Sequence, residues 1–185
     1  MMKDAPFHAV RFYNDADSLC AIVGEFLGEG LEDGEPAIVV ATSEHTGRID
    51  ECLRQRGLNV DELKRLGDYV TMDARETLAT FMIDALPNPK AFRHNMSHVI
   101  EQVARGRERM PVRVYGEMVD VLWKDGHEAA AIRLETLWNE LANTQQFKLL
   151  CGYSMGNFYK GAALEEIKSK HSHVTADDGH HTVIQ

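Results

Sequence analysis

Two histidines four residues apart, His94 and His98 in "AFRHNMSHVIEQV" (91–103), are the first candidates for chemistry. On a helix an i, i+4 pair shares one face, which suits either phosphoryl acceptance by an imidazole nucleophile or metal ligation by both rings. A phosphoryl acceptor needs a neighbouring base to take its proton, and the residue after His98 is Val99. A catalytic zinc needs a third protein ligand and an ordered second shell, and the HExxH pattern is missing. At about 100° per residue, Phe92, Met96, Val99, Ile100 and Val103 gather on one side and both histidines fall roughly opposite. Solvated helix surface is therefore the expectation for the pair. Phosphoacceptance by His98 is kept as an alternative, and no metal site is expected.

The segment around His98 resembles the phosphoacceptor box of sensor histidine kinases, but the acidic residue and the Arg-Thr-Pro that usually follow are absent. The strand expected at Pro111 also begins too soon for a long helical hairpin.

The elements that must position any site follow from hydrophobic periodicity. "HAVRF" (8–12) reads as a strand, and Leu19, Ile22, Val23, Phe26, Leu27 and Leu31 then form one helical face, with Asp17 or Ser18 as the expected cap. "AIVVAT" is apolar at consecutive positions, as a strand buried on both faces must be. A helix with Ser43 as its candidate cap and Gly57 as its stop, a short helical connector and the strand "YVTMDA" follow, then helices near 75–86 and 91–106 parted by "LPNPK". "PVRVYGEM" is a further buried strand that enters a short helix. Residues 127–142 form a long helix, "FKLLCGY" a strand and 161–170 a last helix. Strands alternating with helices predict an α/β, three-layer fold with a mainly parallel sheet and flanking helices. The ends, 1–6 and 175–185, lack periodicity and are expected to be flexible around one domain spanning 7–174.

Bulk properties remove several function classes. A net charge of -9 leaves no basic surface for tracking a nucleic-acid backbone, so direct nucleic-acid binding is not expected. With 44% hydrophobic residues the chain can bury a real core. No apolar run approaches the roughly 20 residues that span a bilayer, so a cytoplasmic, membrane-free protein is expected. Cys20, Cys52 and Cys151 lack CxxC spacing, which fits reduced thiols better than a disulfide framework or a zinc knuckle.

Four stretches carry a wider resemblance: "HAVRFYND" (8–15), "VRVYGEMVDVLWKDG" (112–126), "RLETLWNELA" (133–142), and "LLCGYSMGNF" followed by "KHSHV" (149–158, 170–174). In order and spacing they resemble the MEDS family, sensory domains of bacterial and archaeal regulators named after methanogens, methylotrophs and the dichloromethane-responsive regulator. The resemblance implies a RecA/KaiC-like fold and the sensing of small organic molecules, including hydrocarbon derivatives. It also makes a nucleotide reading testable. A phosphate-binding loop between the first strand and first helix uses glycines and a lysine, but "YNDADS" has neither and adds Asp15 and Asp17. "VRVYGEM" ends in Gly116 and Glu117 where a magnesium-organising aspartate is expected. A degenerate phosphate loop and no cofactor follow, with Glu44 and Glu117 as the remaining candidate carboxylates for a rival ATPase reading.

What the resemblance leaves is a ligand crevice at the C-terminal ends of the strands, the usual location in open α/β sheets. His8, Tyr13, Tyr115, Glu117 and Trp123 fall in the family-like motifs on or near those ends and are the candidate ligand-binding residues. The competing readings make Trp123 and Trp138 core anchors and Glu117 a cap or salt-bridge partner of the next helix; His171 and His173 either close the domain's end or stand exposed on a terminal helix. The expected function is a non-catalytic sensory domain that binds a small organic molecule or a separate regulatory protein. An output module within the chain itself is not expected, and self-association is compatible with this role.

Overall fold

A computed structural model describes residues 7–107, 110–157, 162–175 and 181–183. Residues 1–6, expected to be flexible, lie outside the described residues, as do 176–180 and 184–185 of the expected C-terminal tail. The chain begins with strand β1 (Phe7–Tyr13), helix α1 (Ala16–Glu32), β2 (Ala37–Ala41), α2 (Ser43–Gln55), α3 (Val60–Leu66), β3 (Tyr69–Asp73) and α4 (Ala74–Ala79). A small hairpin, β4 (Met82–Ile83) and β5 (Leu86–Pro87), leads to α5 (Pro89–Ala104), β6 (Val112–Gly116), α6 (Met118–Lys124), α7 (Glu128–Ala142) and β7 (Phe147–Ser154). A single 3-10 turn (Met155–Asn157), α8 (Ala162–Lys168), β8 (His173–Thr175) and β9 (His181–Val183) complete the described chain.

The main sheet has the order β3-β2-β6-β7-β1-β8-β9. Every pairing from β3 to β8 is parallel, and β9 alone returns antiparallel to β8. Consecutive apolar runs become strands buried on both faces: all five residues of β2 and of β6 are buried. Val10, Phe12, Ile38, Val40, Val112, Val114 and Leu149 face a core closed by α4, α5, α6 and α7. Ala9, Tyr13, Val39, Tyr115 and Leu150 face a second core closed by α1, α2 and α3. The expected three-layer α/β architecture is the one formed.

Several local expectations are corrected. The cap of α1 is Asp15, whose carboxylate accepts from Ser18 N at 2.7 Å, not Asp17 or Ser18. Ser43 is the first residue of α2 and Thr42 its N-cap. The helix expected over 75–86 stops at Ala79, and the rest of that span forms the β4–β5 hairpin, whose two-residue turn places Asp84 and Ala85 at φ of 49° and 64°. Two successive left-handed residues suit such a turn, but Asp-Ala lacks the glycine that usually announces it. Within the segment expected to be frayed, residues 181–183 pair with β8 at the sheet edge.

Candidate functional site at the strand ends

The C-terminal ends of the parallel strands converge where short connections launch the helices. Tyr13 ends β1 and only Asn14 and Asp15 separate it from α1. With Asp15 satisfying a backbone N–H of that helix start, the connection is a short capped turn. Beside it, Thr42 and His45 open α2, Glu117 and Asp120 flank the start of α6, and Ser154 ends β7.

Two buried carboxylates organise this end. Glu117 occupies the N-cap position of α6 but makes no cap there. Instead its carboxylate accepts from the Thr42 backbone N–H, from His45 Nδ1 at 2.6 Å and from the Tyr115 hydroxyl at 3.2 Å. Asp120, on the next residues of α6, accepts from Tyr13 Oη at 3.2 Å, from the Ser154 backbone N–H at 2.9 Å and from Lys124 Nζ at 2.7 Å. The Tyr13 ring meets His45 edge-on, centroids 6.1 Å apart, and so sits between the two carboxylates. Glu117, Asp120, Tyr13 and Tyr115 are buried, whereas the His45 side chain is 14% exposed and Lys124 opens to solvent.

The electrostatics keep the two tyrosines of this cluster protonated. Burial, then the Asp120 and Glu117 charges, push the Tyr13 phenol far above its ordinary range, and burial with Glu117 does the same to Tyr115. The hydrogen bond to Glu117 raises the His45 imidazole, outweighing partial burial. Both tyrosines therefore stay as donors and are not bases. Cys20, on α1 nearby, is pushed up to about 11 by burial and stays a thiol, so it offers no nucleophile. The arrangement can exchange hydrogen bonds with a polar guest.

The structure thus brings together three of the five residues expected to line a ligand site, Tyr13, Tyr115 and Glu117. His8 is the second residue of β1, far along the strand from that end, and belongs to a different cluster. Trp123 packs into the core under α6, its ring 6.4 Å from that of Tyr153, and Trp138 stands edge-on to Phe92 at 5.0 Å. Glu44 is exposed and pairs with Arg48 at 3.5 Å. His94 and His98 are exposed on α5, as expected, and His98 exchanges a hydrogen bond with Gln102 at 2.8 Å. Asp120 and His45 were not singled out by sequence reasoning. Asp120 had a usable signal, a carboxylate in the otherwise apolar run "MVDVLW" that forms a wholly buried first turn and a half of α6.

A three-layer α/β domain with a mainly parallel sheet and a short capped turn after its first strand is the class these observations define. The chain belongs to the MEDS family, the methanogen/methylotroph, DcmR sensory domain, whose model matches residues 7–172. Among solved structures it is similar to a KaiC-like protein from the hyperthermophilic archaeon Pyrococcus horikoshii OT3, with a TM-score of 0.61 and 12% identity over 92% of this chain and 71% of that one. No curated protein matches the chain. Membership of a sensory family gives the chain a sensory or signalling role. Among the described residues no helix is long and apolar enough to cross a membrane.

Proposed function

We propose that this chain is a non-catalytic sensory domain that takes a small organic molecule at the Glu117–Asp120 end of the sheet and reports it to a separate signalling protein. The observation that carries the reading is the hydrogen-bonded network itself. Glu117 ties α6 to α2 through His45 and Thr42, and Asp120 ties α6 to β1 and β7 through Tyr13 and Ser154. A guest with a hydroxyl, amine or polarised carbon–halogen bond would replace one of these partners. It would favour whichever arrangement of α2 against α6 it binds better, which is a population shift. Entry is easiest beside His45 and Lys124, where the network already meets water.

The test is a thermal-melt screen of the wild-type chain against one- and two-carbon halides, alcohols and amines, with Mg-ATP in parallel. A ligand at about 100 times its dissociation constant stabilises a fold by roughly 2.7 kcal/mol, a rise of roughly 5–10 °C for a domain of this size. The expected result is such a rise with an organic compound, diminished in Glu117→Gln and Tyr13→Phe while both variants stay folded. A rise with Mg-ATP alone, or a rise that both variants retain, overturns the assignment.

A further inference from the structure

A second polar cluster lies sealed inside the α7 side of the sheet. His8 of β1, Glu135 of α7, Cys151 of β7 and His171, just after α8, each bring one ligand-type atom to within 4.8 Å of all the others. All four residues are buried, and the side chains of Glu135 and His171 have no exposure. We propose that these four residues bind a divalent first-row transition ion of the zinc type, in a closed structural site that clips the C-terminal segment to the core.

The protons argue for it first. The His8 Nδ1–H donates to Asn139 Oδ1 at 2.8 Å, and that amide is oriented by its own donation to Lys170 O at 2.8 Å. His171 Nδ1–H donates to Ile167 O at 2.7 Å. Each ring thereby spends its Nδ1 proton on an oxygen and turns Nε2 inward, the arrangement by which second-shell acceptors fix the tautomer of a metal-binding histidine. His171 Nε2 is buried without a hydrogen-bond partner, for although Glu135 Oε2 is 3.3 Å away it is out of line for one. The Cys151 sulfur meets His8 Nε2 at 3.3 Å, which leaves the His171 Nε2 and the Glu135 carboxylate as the facing pair that needs a positive charge, the place a bound cation fills.

Distance argues next. Glu135 Oε2 is 3.2 Å from His8 Nε2, 3.3 Å from His171 Nε2 and 3.7 Å from Cys151 Sγ, and His8 Nε2 is 3.3 Å from that sulfur. Ligand atoms around a tetrahedral ion with bonds of about 2.0–2.3 Å lie roughly 3.3–3.8 Å apart. The other carboxylate oxygen, Oε1, is held by the Tyr153 hydroxyl at 2.8 Å, an outer-shell contact of the usual kind. Four protein ligands and no route to water mark a structural site, and two imidazoles, a carboxylate and a thiolate suit a borderline ion. Binding releases the Cys151 thiol proton to solvent as the thiolate takes its place on the ion.

The decisive experiment uses the full chain without an affinity tag, unfolded in chelator and refolded with zinc, with cobalt(II) or without metal. The expected outcome is about one equivalent of tightly held ion per chain. The cobalt form should show intense tetrahedral visible bands and a near-ultraviolet thiolate-to-cobalt transition that Cys151→Ser abolishes. The metal-loaded chain should melt roughly 10 °C above the metal-free one. The same transition must survive in the His94→Gln/His98→Gln variant, which removes the exposed histidine pair. Wild-type chain that refolds with cobalt to a colourless product and melts identically with and without metal overturns the proposal. A transition that persists in Cys151→Ser and is lost in the α5 double variant overturns it too.

Discussion

The cluster around Glu117 and the cluster around Glu135 are built from the same parts, a buried carboxylate held by a tyrosine hydroxyl and at least one imidazole, yet they differ in access. Glu117 is reached through His45, which is 14% exposed, and its neighbour Asp120 pairs with the half-exposed Lys124. Glu135 is enclosed by His8, His171, Cys151 and Tyr153, all buried. In the first cluster water can replace a lost partner, so hydrogen bonds can be exchanged at modest cost. In the second nothing can, and each group depends on the others. Similar chemistry therefore stands beside water at the sheet's end and away from it beneath the sheet's face.

The sharpest way to break that contrast is to delete each carboxylate. Glu135→Ala takes the carboxylate from between the His8 and His171 rings and leaves the Tyr153 hydroxyl without its acceptor, and breaking a buried charged network costs about 3–5 kcal/mol. At roughly 2–4 °C per kcal/mol, the melting temperature should fall by roughly 6–20 °C. Glu117→Ala should cost less, about 1–3 kcal/mol, because solvent can enter beside His45 and satisfy the remaining donors. Paired urea and thermal denaturation curves measure both; equal losses would show that exposure does not separate the two clusters.

A finer test acts on the first cluster alone. Gly152 of β7 faces Tyr115 so closely that an added Cβ would sit 2.5 Å from the hydroxyl oxygen. Gly152→Ala must push that ring off Glu117 or move β7, and overpacking of this kind costs about 1–3 kcal/mol. Tyr115→Phe removes the atom in collision, so the double variant should be more stable than the sum of the two single losses predicts. Simple additivity would mean that the strain is relieved elsewhere along the strand.

Much of the scaffold for these clusters was legible in the sequence. Consecutive apolar positions in "AIVVA" and "VRVYG" specify strands buried on both faces, and the helix patterns between them specify parallel crossovers. The β4–β5 hairpin was not legible, because its left-handed Asp84 and Ala85 carry no glycine. The site was half legible. Tyr13, Tyr115 and Glu117 sit at strand ends that the order of elements identifies, but His45 reaches Glu117 across 72 residues of sequence and no local pattern reveals that contact. His8 does not join them for the complementary reason: one residue into β1, it lies several residues from the strand's C-terminal end. Glu135 did leave a trace, as a carboxylate on a helix face shared with Ala131, Leu134 and Trp138 that is otherwise apolar and buried.

The smallest expected effect concerns pH. His45 faces Glu117 and Glu44, which favour its charged form, and Lys124, which opposes it; the hydrogen bond to Glu117 dominates and raises its pKa above the ordinary 6.5. A histidine whose folded pKa exceeds its unfolded value adds stability that is fully present below the unfolded pKa and is lost as pH rises through the folded one. Stability should thus decline from about pH 6.5 upward by an amount that disappears in His45→Gln, no more than about 1 kcal/mol for a pair this close to solvent. The measurement is a set of urea midpoints from pH 5 to 9 for wild type and variant. A wild-type decline that His45→Gln leaves intact would move the titrating group elsewhere, and would deprive the strand-end cluster of the solvent-coupled member that distinguishes it from its sealed counterpart.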